Sequence, residues 1–215
     1  MLQDKVIQSI PEDVMKAVKL NDLGTSIAAT DRAFVPTAAL TTALEINTTK
    51  VTEAEMPKSW ADLAHFAGAV AARDPNLSGP ACQWLAGYFQ TNGVDAGKAF
   101  LAQSLTNKEI SGLGSGGKIN KEVPTGTAKA GINQDSSIIA KMVAGEPLVA
   151  VYPSASSVVP PQGLVIGAKS QHMEAAAKFI GFVAGPEGQA ATQDGDDTDF
   201  CFIPVIDGVK AREGG

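Results

Sequence analysis

Residues 148–190, LVAVYPSASSVVPPQGLVIGAKSQHMEAAAKFIGFVAGPEGQA, constrain the fold more than any other stretch of the chain. LVAVY is a short apolar run rich in strand formers. Pro153, Pro160 and Pro161 prevent it from continuing as strand or helix, because proline lacks the N–H and restricts its predecessor. Gly163 then opens a second apolar run, LVIGA. From Met173 to Val183 the apolar residues recur at helical spacing, with Glu174 and Lys178 four apart on one face. The order is strand, proline-broken crossing, strand, amphipathic helix. A chain that crosses between two sheets is what a hinge between two lobes requires, so ligand-driven closure comes ahead of catalysis as an expectation.

Composition narrows the class of function. A chain of 215 residues with 44% hydrophobic content suits one large domain or two small lobes and can bury a core. Its net charge of −6 offers no basic surface for phosphate backbones, so nucleic acid is not an expected partner. A small anion is still compatible, because helix N-termini and hydroxyls can hold one without a basic field. No window carries eighteen apolar residues, and the first residues, MLQDKVIQSIPEDV, have no signal-peptide pattern. Cys82 and Cys201 are too few for a disulfide framework, and they match no zinc spacing with His65 or His172.

Along the chain, PEDVMKAVKL reads as a short helix with Pro11 in its first turn, and residues 21–49 read as extended, interrupted by Pro36. Thr41 to Asn47 is a candidate crossing strand. MPKSWADLAHF starts a helix with Ser59 as N-cap and Asp62 three residues on, and Trp60 anchors that helix in the core. GAVAAR is a short strand, DPNLSGP a turn, and ACQWLAGYFQTNG a helix stopped by Gly93. Residues 95–105 and 119–129 read as helices, the second weakened by Pro124. KAGIN is a strand, and DSSIIAKMVAGE is a helix capped by Asp135 or Ser136. This alternation predicts an α/β lobe with a mainly parallel sheet.

Three motifs invite chemistry and fail on spacing. Gly112, Gly114 and Gly117 fit a dinucleotide fingerprint, but the lead-in LTNKEIS is polar, and Ile119 stands where a P-loop needs Ser or Thr. A flexible glycine loop is the better reading. The run Asp194 to Asp199 lacks the EF-hand glycine and closing glutamate, and reads as a solvated loop. No nucleophile elbow occurs, so the chain is not read as an enzyme, and neither cofactor nor metal is expected. The quieter DPNLSGP is more useful. Ser78 and Gly79 lie where a strand turns into a helix, and Asp135 and Ser136 lie at a second such junction. Free N–H groups there favour an anion by about 0.3–1 kcal/mol when exposed and up to ~2 when partly buried. For any single serine, a simple cap is the commoner role. Two junctions at carboxyl ends of parallel strands tilt the reading toward a ligand site.

PKSWADLA, RDPNLSG, AGINQDSSIIAKMVAGEPLVAVYP and PQGLVIGAKSQHMEAAAKFIGFVAGPEGQAA follow one another as in extracellular solute-binding proteins of ABC importers. The chain most resembles the iron(III), phosphonate, sugar-phosphate and thiamine binders, across most of residues 45–190. The resemblance implies a type II periplasmic-binding-protein fold: two α/β lobes, joined by crossing strands near Thr42–Val51 and Val149–Gly163, with the solute between them. Lobe one is incomplete, since the family's opening strand–helix units are missing. The implied division is 1–50 as partial lobe one and first crossing, 51–150 as lobe two, and 151–215 as second crossing and return. It further implies a periplasmic or extracellular location and an ABC transporter permease as partner. The small solute would be anionic or polar, phosphorylated or phosphonate compounds included. Ser78 and Gly79 would bind its anionic group, Asp135 and Ser136 a polar or amine group, and Tyr152 would line the hinge side. Iron is disfavoured, because the family's iron binders use adjacent tyrosines and this chain has only Tyr88 and Tyr152, far apart. Pro80 replaces a donor-bearing Thr of the family's Ser-Gly-Thr, which weakens phosphate binding. A partial lobe one leaves apolar surface and sheet edge exposed, so a homo-oligomer or strand exchange is expected. The alternative is a scaffold of the same fold without ligand-binding competence. Cys82 and Cys201, in different lobes, would be free and largely buried.

Overall fold

The computed structural model describes residues 2, 4–66, 68–104, 113–114, 116–153, 158–193 and 202–211. It forms two compact units, one from Met1–Leu40 with Pro160–Glu213, the other from Thr41–Val159.

The first unit begins with strand β1 (Ile7–Gln8), helices α1 (Glu12–Ala17) and α2 (Asp22–Ile27), and strand β2 (Val35–Ala39). α1 follows Pro11 as expected. α2 was not expected, since residues 21–49 read as extended. The Asn21 side chain caps α2 by accepting from Gly24 N–H at 2.8 Å, and Asn21 Nδ2 donates to Pro204 O. An N-cap followed by an acidic residue was the available signal.

The second unit then runs continuously. Strand β3 (Thr42–Asn47) leads through a 3₁₀ turn capped by Thr52 and Glu55 to a second 3₁₀ helix, Trp60–Phe66. Asp62 accepts from the Lys58 and Ser59 N–H groups, so the SWAD helix start holds, but the turns tighten to 3₁₀. β4 (Val70–Arg73), α3 (Gly79–Asn92), α4 (Val94–Ser104), β5 (Leu113–Gly114) and α5 (Gly116–Glu122) follow. Gly93, at φ +84°, stops α3 as read. Where described, the glycine run is not a loop: Leu113–Gly114 pairs with β4, and Gly116 opens α5. α5 ends before Val123, because Pro124 restricts its predecessor and offers no N–H. β6 (Ala130–Gln134), α6 (Asp135–Val143) and β7 (Leu148–Val151) complete the unit.

Its five strands are ordered β5-β4-β6-β3-β7. β4 is parallel to β5 and β6, but β3 runs antiparallel to both β6 and β7. The expected mainly parallel sheet therefore carries one reversed strand near its middle. Along β3, Leu44 and Ile46 enter a core with Trp60, Leu63, Phe66, Trp84, Tyr88 and Phe100. The rings of Tyr88 and Phe100 lie 4.7 Å apart and those of Trp60 and Trp84 5.0 Å, and each such pair adds about 0.5–1.5 kcal/mol beyond area burial. Trp60 is thus the core anchor read from sequence. A smaller cluster, with Ala71, Ile119, Val123 and Leu148, packs separately.

The chain returns to the first unit through β8 (Pro161–Leu164), β9 (Ile166–Gly167), α7 (Met173–Val183), α8 (Pro186–Gln193) and β10 (Ile203–Pro204). LVIGA is therefore split: β8 pairs with β2, and β9 pairs with β1. α7 has the expected bounds and its Lys178–Glu174 pair at 2.7 Å. Instead of closing α7, GPEGQ starts α8. Ile10, Val14, Val35, Ile166, Ile180 and Val205 form this unit's core. Cys82 is free but exposed rather than buried, because it sits on the outer face of α3. Cys201 and the Asp194 to Asp199 run lie outside the described residues.

Candidate functional site

β4, β5 and β6 point the same way, so their carboxyl ends share one edge of the sheet. α3, α5 and α6 all begin there. The residues singled out from sequence fall along this edge and at the nearby end of β7.

The loop after β4 is an Asx turn. Asp74 Oδ1 accepts from Asn76 N–H at 2.8 Å, and Asp74 O accepts from Leu77 and Ser78 N–H. This turn delivers Ser78 to the N-cap of α3, where its hydroxyl accepts from Ala81 N–H at 3.4 Å. Ser78 thus fills the simple capping role. Gly79 is exposed, with nothing within 4 Å of where a Cβ would stand, so backbone there is accessible. Pro80 removes one N–H from the first turn.

At the second junction Gln134, not Asp135 or Ser136, takes the N-cap position. Asp135 is the first helical residue and is only 1% exposed. Its Oδ1 accepts from Thr41 N–H at 3.1 Å and from Ser136 N–H at 2.9 Å. In return Asp135 N–H donates to Thr41 O, and the Thr41 hydroxyl donates to Val158 O at 2.9 Å. Asp135 therefore ties the first residue of this unit to the start of α6. Burial pushes its pKa up from 3.8 to about 6, against the three backbone donors that lower it. Ser136 and Ser137 are buried beside it.

Tyr152 follows β7 and is 50% exposed. Partial burial of its phenol, and then the Asp135 carboxylate, push its pKa up to about 12. The structure thus brings Asp135, Ser136 and Tyr152 together. Ser78 and Gly79 share with them the sheet edge through neighbouring β4 and β6. Tyr88 is committed to the aromatic core with Trp84 and Phe100.

Sequence reasoning missed a polar network on the opposite face of β3 from the aromatic core. Glu45 is fully buried, and its Oε2 accepts from Asn133 Nδ2 at 2.8 Å. Asn133 Nδ2 also donates to Asn120 Oδ1, while Asn133 Oδ1 accepts from Arg73 Nε at 3.2 Å. Burial raises the Glu45 pKa from 4.5 to about 7, opposed by Asn133, Lys141 and Arg73. Its Oε1 has no partner. A lone Glu within the apolar run TALEIN was the available signal. Among the described residues, no group of three or more His, Cys, Asp or Glu is placed to hold a metal, and no helix is long and apolar enough to cross a membrane.

A family model for bacterial extracellular solute-binding proteins matches residues 1–213. No curated protein matches the sequence. Among solved structures, the chain is similar to AfuA of Actinobacillus pleuropneumoniae, a periplasmic binding protein with exogenous fructose-6-phosphate bound. The TM-score is 0.81 at 15% identity, over 99% of this chain and 67% of that one. It is also similar to iron-bound HitA of Pseudomonas aeruginosa, with TM-score 0.76 and 18% identity over 99% and 67% of the two chains. A ferric binding protein of Campylobacter jejuni gives TM-score 0.78 and 18% identity over 97% and 67%. At such identities the likeness establishes the fold, that of type II periplasmic binding proteins. About a third of each neighbour has no counterpart in this chain.

Proposed function

Because the chain belongs to the bacterial extracellular solute-binding protein family, we propose that it is the solute-binding component of an ABC import system. It acts in the periplasm or outside the cell, handing a small anionic or polar solute to a permease. The solute sits at the carboxyl edge of the five-stranded sheet, against Ser78, Gly79 and Tyr152. Asp135 and Ser136, both buried, form the α6 terminus behind it and act on it through that helix end rather than by side-chain contact. The observation that carries this reading is the convergence of the α3 and α6 N-termini on one edge, with Gly79 leaving backbone open to a ligand. The work is binding rather than catalysis. Iron is not the proposed cargo despite the ferric binders among the neighbours, since Tyr88 is spent in the core. Titration calorimetry with sugar phosphates, phosphonates, uncharged sugars and ferric ion tests the reading. Saturable heat with a phosphorylated or polar solute is expected, and no heat with any of them refutes it.

The second reading, a scaffold without binding competence, draws on the shared 67% coverage of the neighbours. Phe179 and Phe182 stand exposed on α7, where self-association would cover them. Native mass measurement giving only monomer excludes that association.

A further inference from the structure

We propose that the first unit carries a small-molecule site of its own, a cavity of about 430 Å³ between α8 and the Ile206–Lys210 turn, which takes a free α-amino acid with an aliphatic side chain. Every lining residue belongs to the first unit, so the inference is independent of the solute reading at the edge of the second.

Pro186, Ala190 and Gln193 stand four and then three residues apart, on one face of α8, and form one wall. The other wall is the turn, which the backbone pins in place. Leu20 bridges Ile206, and Asp207 N–H donates to Lys19 O at 2.7 Å. Gly208, at φ +76°, folds the turn back so that Val209 N–H reaches Ile206 O at 3.3 Å. No atom stands within 4 Å of where a Gly208 Cβ would be, so this wall is open to a ligand.

The cavity presents one partner for each part of an amino acid. Pro186, Ala190, Ile206 and Val209 supply apolar surface for the side chain. Asp207 and Lys210, of opposite charge and three residues apart, also line it. Both are exposed, and neither belongs to the described ion pairs, Lys16–Glu12 and Lys178–Glu174. Gln193 is only 9% exposed. Its Nε2 donates to Phe202 O at 3.3 Å, whereas its Oε1 takes no hydrogen bond from the described residues. A buried acceptor without a donor is costly, and the last torsion of glutamine is broad enough to turn the carboxamide toward a ligand N–H. An α-ammonium brings three donors, enough for the Gln193 carboxamide and the Asp207 carboxylate together, while the α-carboxylate meets the Lys210 ammonium. A simple anion or cation leaves one of the two charges without a partner, and an uncharged sugar leaves both. The volume lies within the range of about 300–1,000 Å³ common to small-molecule sites. Because both charges are exposed, each contributes a few-fold in affinity, and salt weakens them.

The test is titration calorimetry of the full chain with leucine, glycine, leucinamide and isocaproate. Leucinamide lacks the carboxylate and isocaproate the ammonium. Leucine should bind at least about fivefold more tightly than each of the others. In amide hydrogen exchange it should protect peptides covering residues 186–193 and 206–210. Asp207→Asn should lose about two- to fivefold for leucine and shrink its advantage over isocaproate. Lys210→Gln should lose as much and shrink the advantage over leucinamide. Gln193→Leu removes the acceptor and should also weaken leucine; should that variant fail to fold, the two exposed charge variants still decide. Absence of saturable leucine binding overturns the inference, as does either charge variant binding leucine as tightly as wild type. Protection confined to the second unit overturns it too, and leaves the solute reading standing.

Discussion

Replacing Glu45 with Gln should stabilise the second unit at alkaline pH and do nothing at acid pH. Glu45 is fully buried, with one oxygen bonded to Asn133 and the other unpartnered. Its pKa is raised from 4.5 to about 7, chiefly by burial. The folded state therefore holds the proton more tightly than the unfolded chain, and stability rises as pH falls from 7 to 4.5. Above pH 7 the full penalty applies; below 4.5 both states are protonated and it vanishes. Raising the pKa from 4.5 to about 7 corresponds to about 3 kcal/mol. Glutamine keeps the shape and an acceptor for Asn133 but carries no charge. Urea unfolding followed by tryptophan fluorescence is the appropriate assay, because both tryptophans, Trp60 and Trp84, lie in this unit's core. The variant should gain up to about 3 kcal/mol at pH 8 and be level with wild type at pH 4.5. An equal difference at both pH values, or no gain at pH 8, would refute the burial argument.

Asp135→Ala strips the acceptor from the Thr41 and Ser136 N–H groups and should cost about 1–3 kcal/mol by the same assay. Asp135→Asn keeps an acceptor, so it should cost less and lose the pH dependence between 3.8 and about 6, where wild-type stability rises as pH falls. Gly188→Ala should destabilise the first unit by more than about 1 kcal/mol in a thermal melt, since its Cβ would stand 2.2 Å from Phe182 O and 2.5 Å from Val183 Cα. A neutral result would mean that α7 and α8 part easily. Cys82 is free and exposed, so native protein should be labelled at Cys82 by a disulfide reagent, as read by peptide mapping, and an unlabelled Cys82 would contradict its exposure.

Features governed by neighbouring residues were legible in the sequence. The 3.6-residue period over Met173 to Val183 gave α7 its bounds, Gly93 at positive φ ended α3, and β7 stops at Val151, ahead of Pro153, while Pro161 opens β8 instead of interrupting the chain there. The order of the family motifs pointed to the fold, and Ser78 and Asp135 stand at the two strand-to-helix junctions after β4 and β6 that were read from the sequence. Only the tertiary structure decided what depends on partners distant in the chain. Reversal of β3 between β6 and β7 is a property of pairing, which leaves no local trace beyond an apolar run. Burial of Asp135 is offset by a bond from Thr41 N–H, 94 residues away, which no local pattern announces. The Glu45–Asn133–Arg73 chain unites three strands whose sequences, TALEIN, AGINQ and VAAR, look ordinary one by one. Local periodicity is written in each segment, whereas desolvation and hydrogen-bond complementarity exist only once the segments meet. Within unit two, the strand Thr42–Asn47 and the two strand-to-helix junctions were therefore readable, but the carboxylate buried beside them was not.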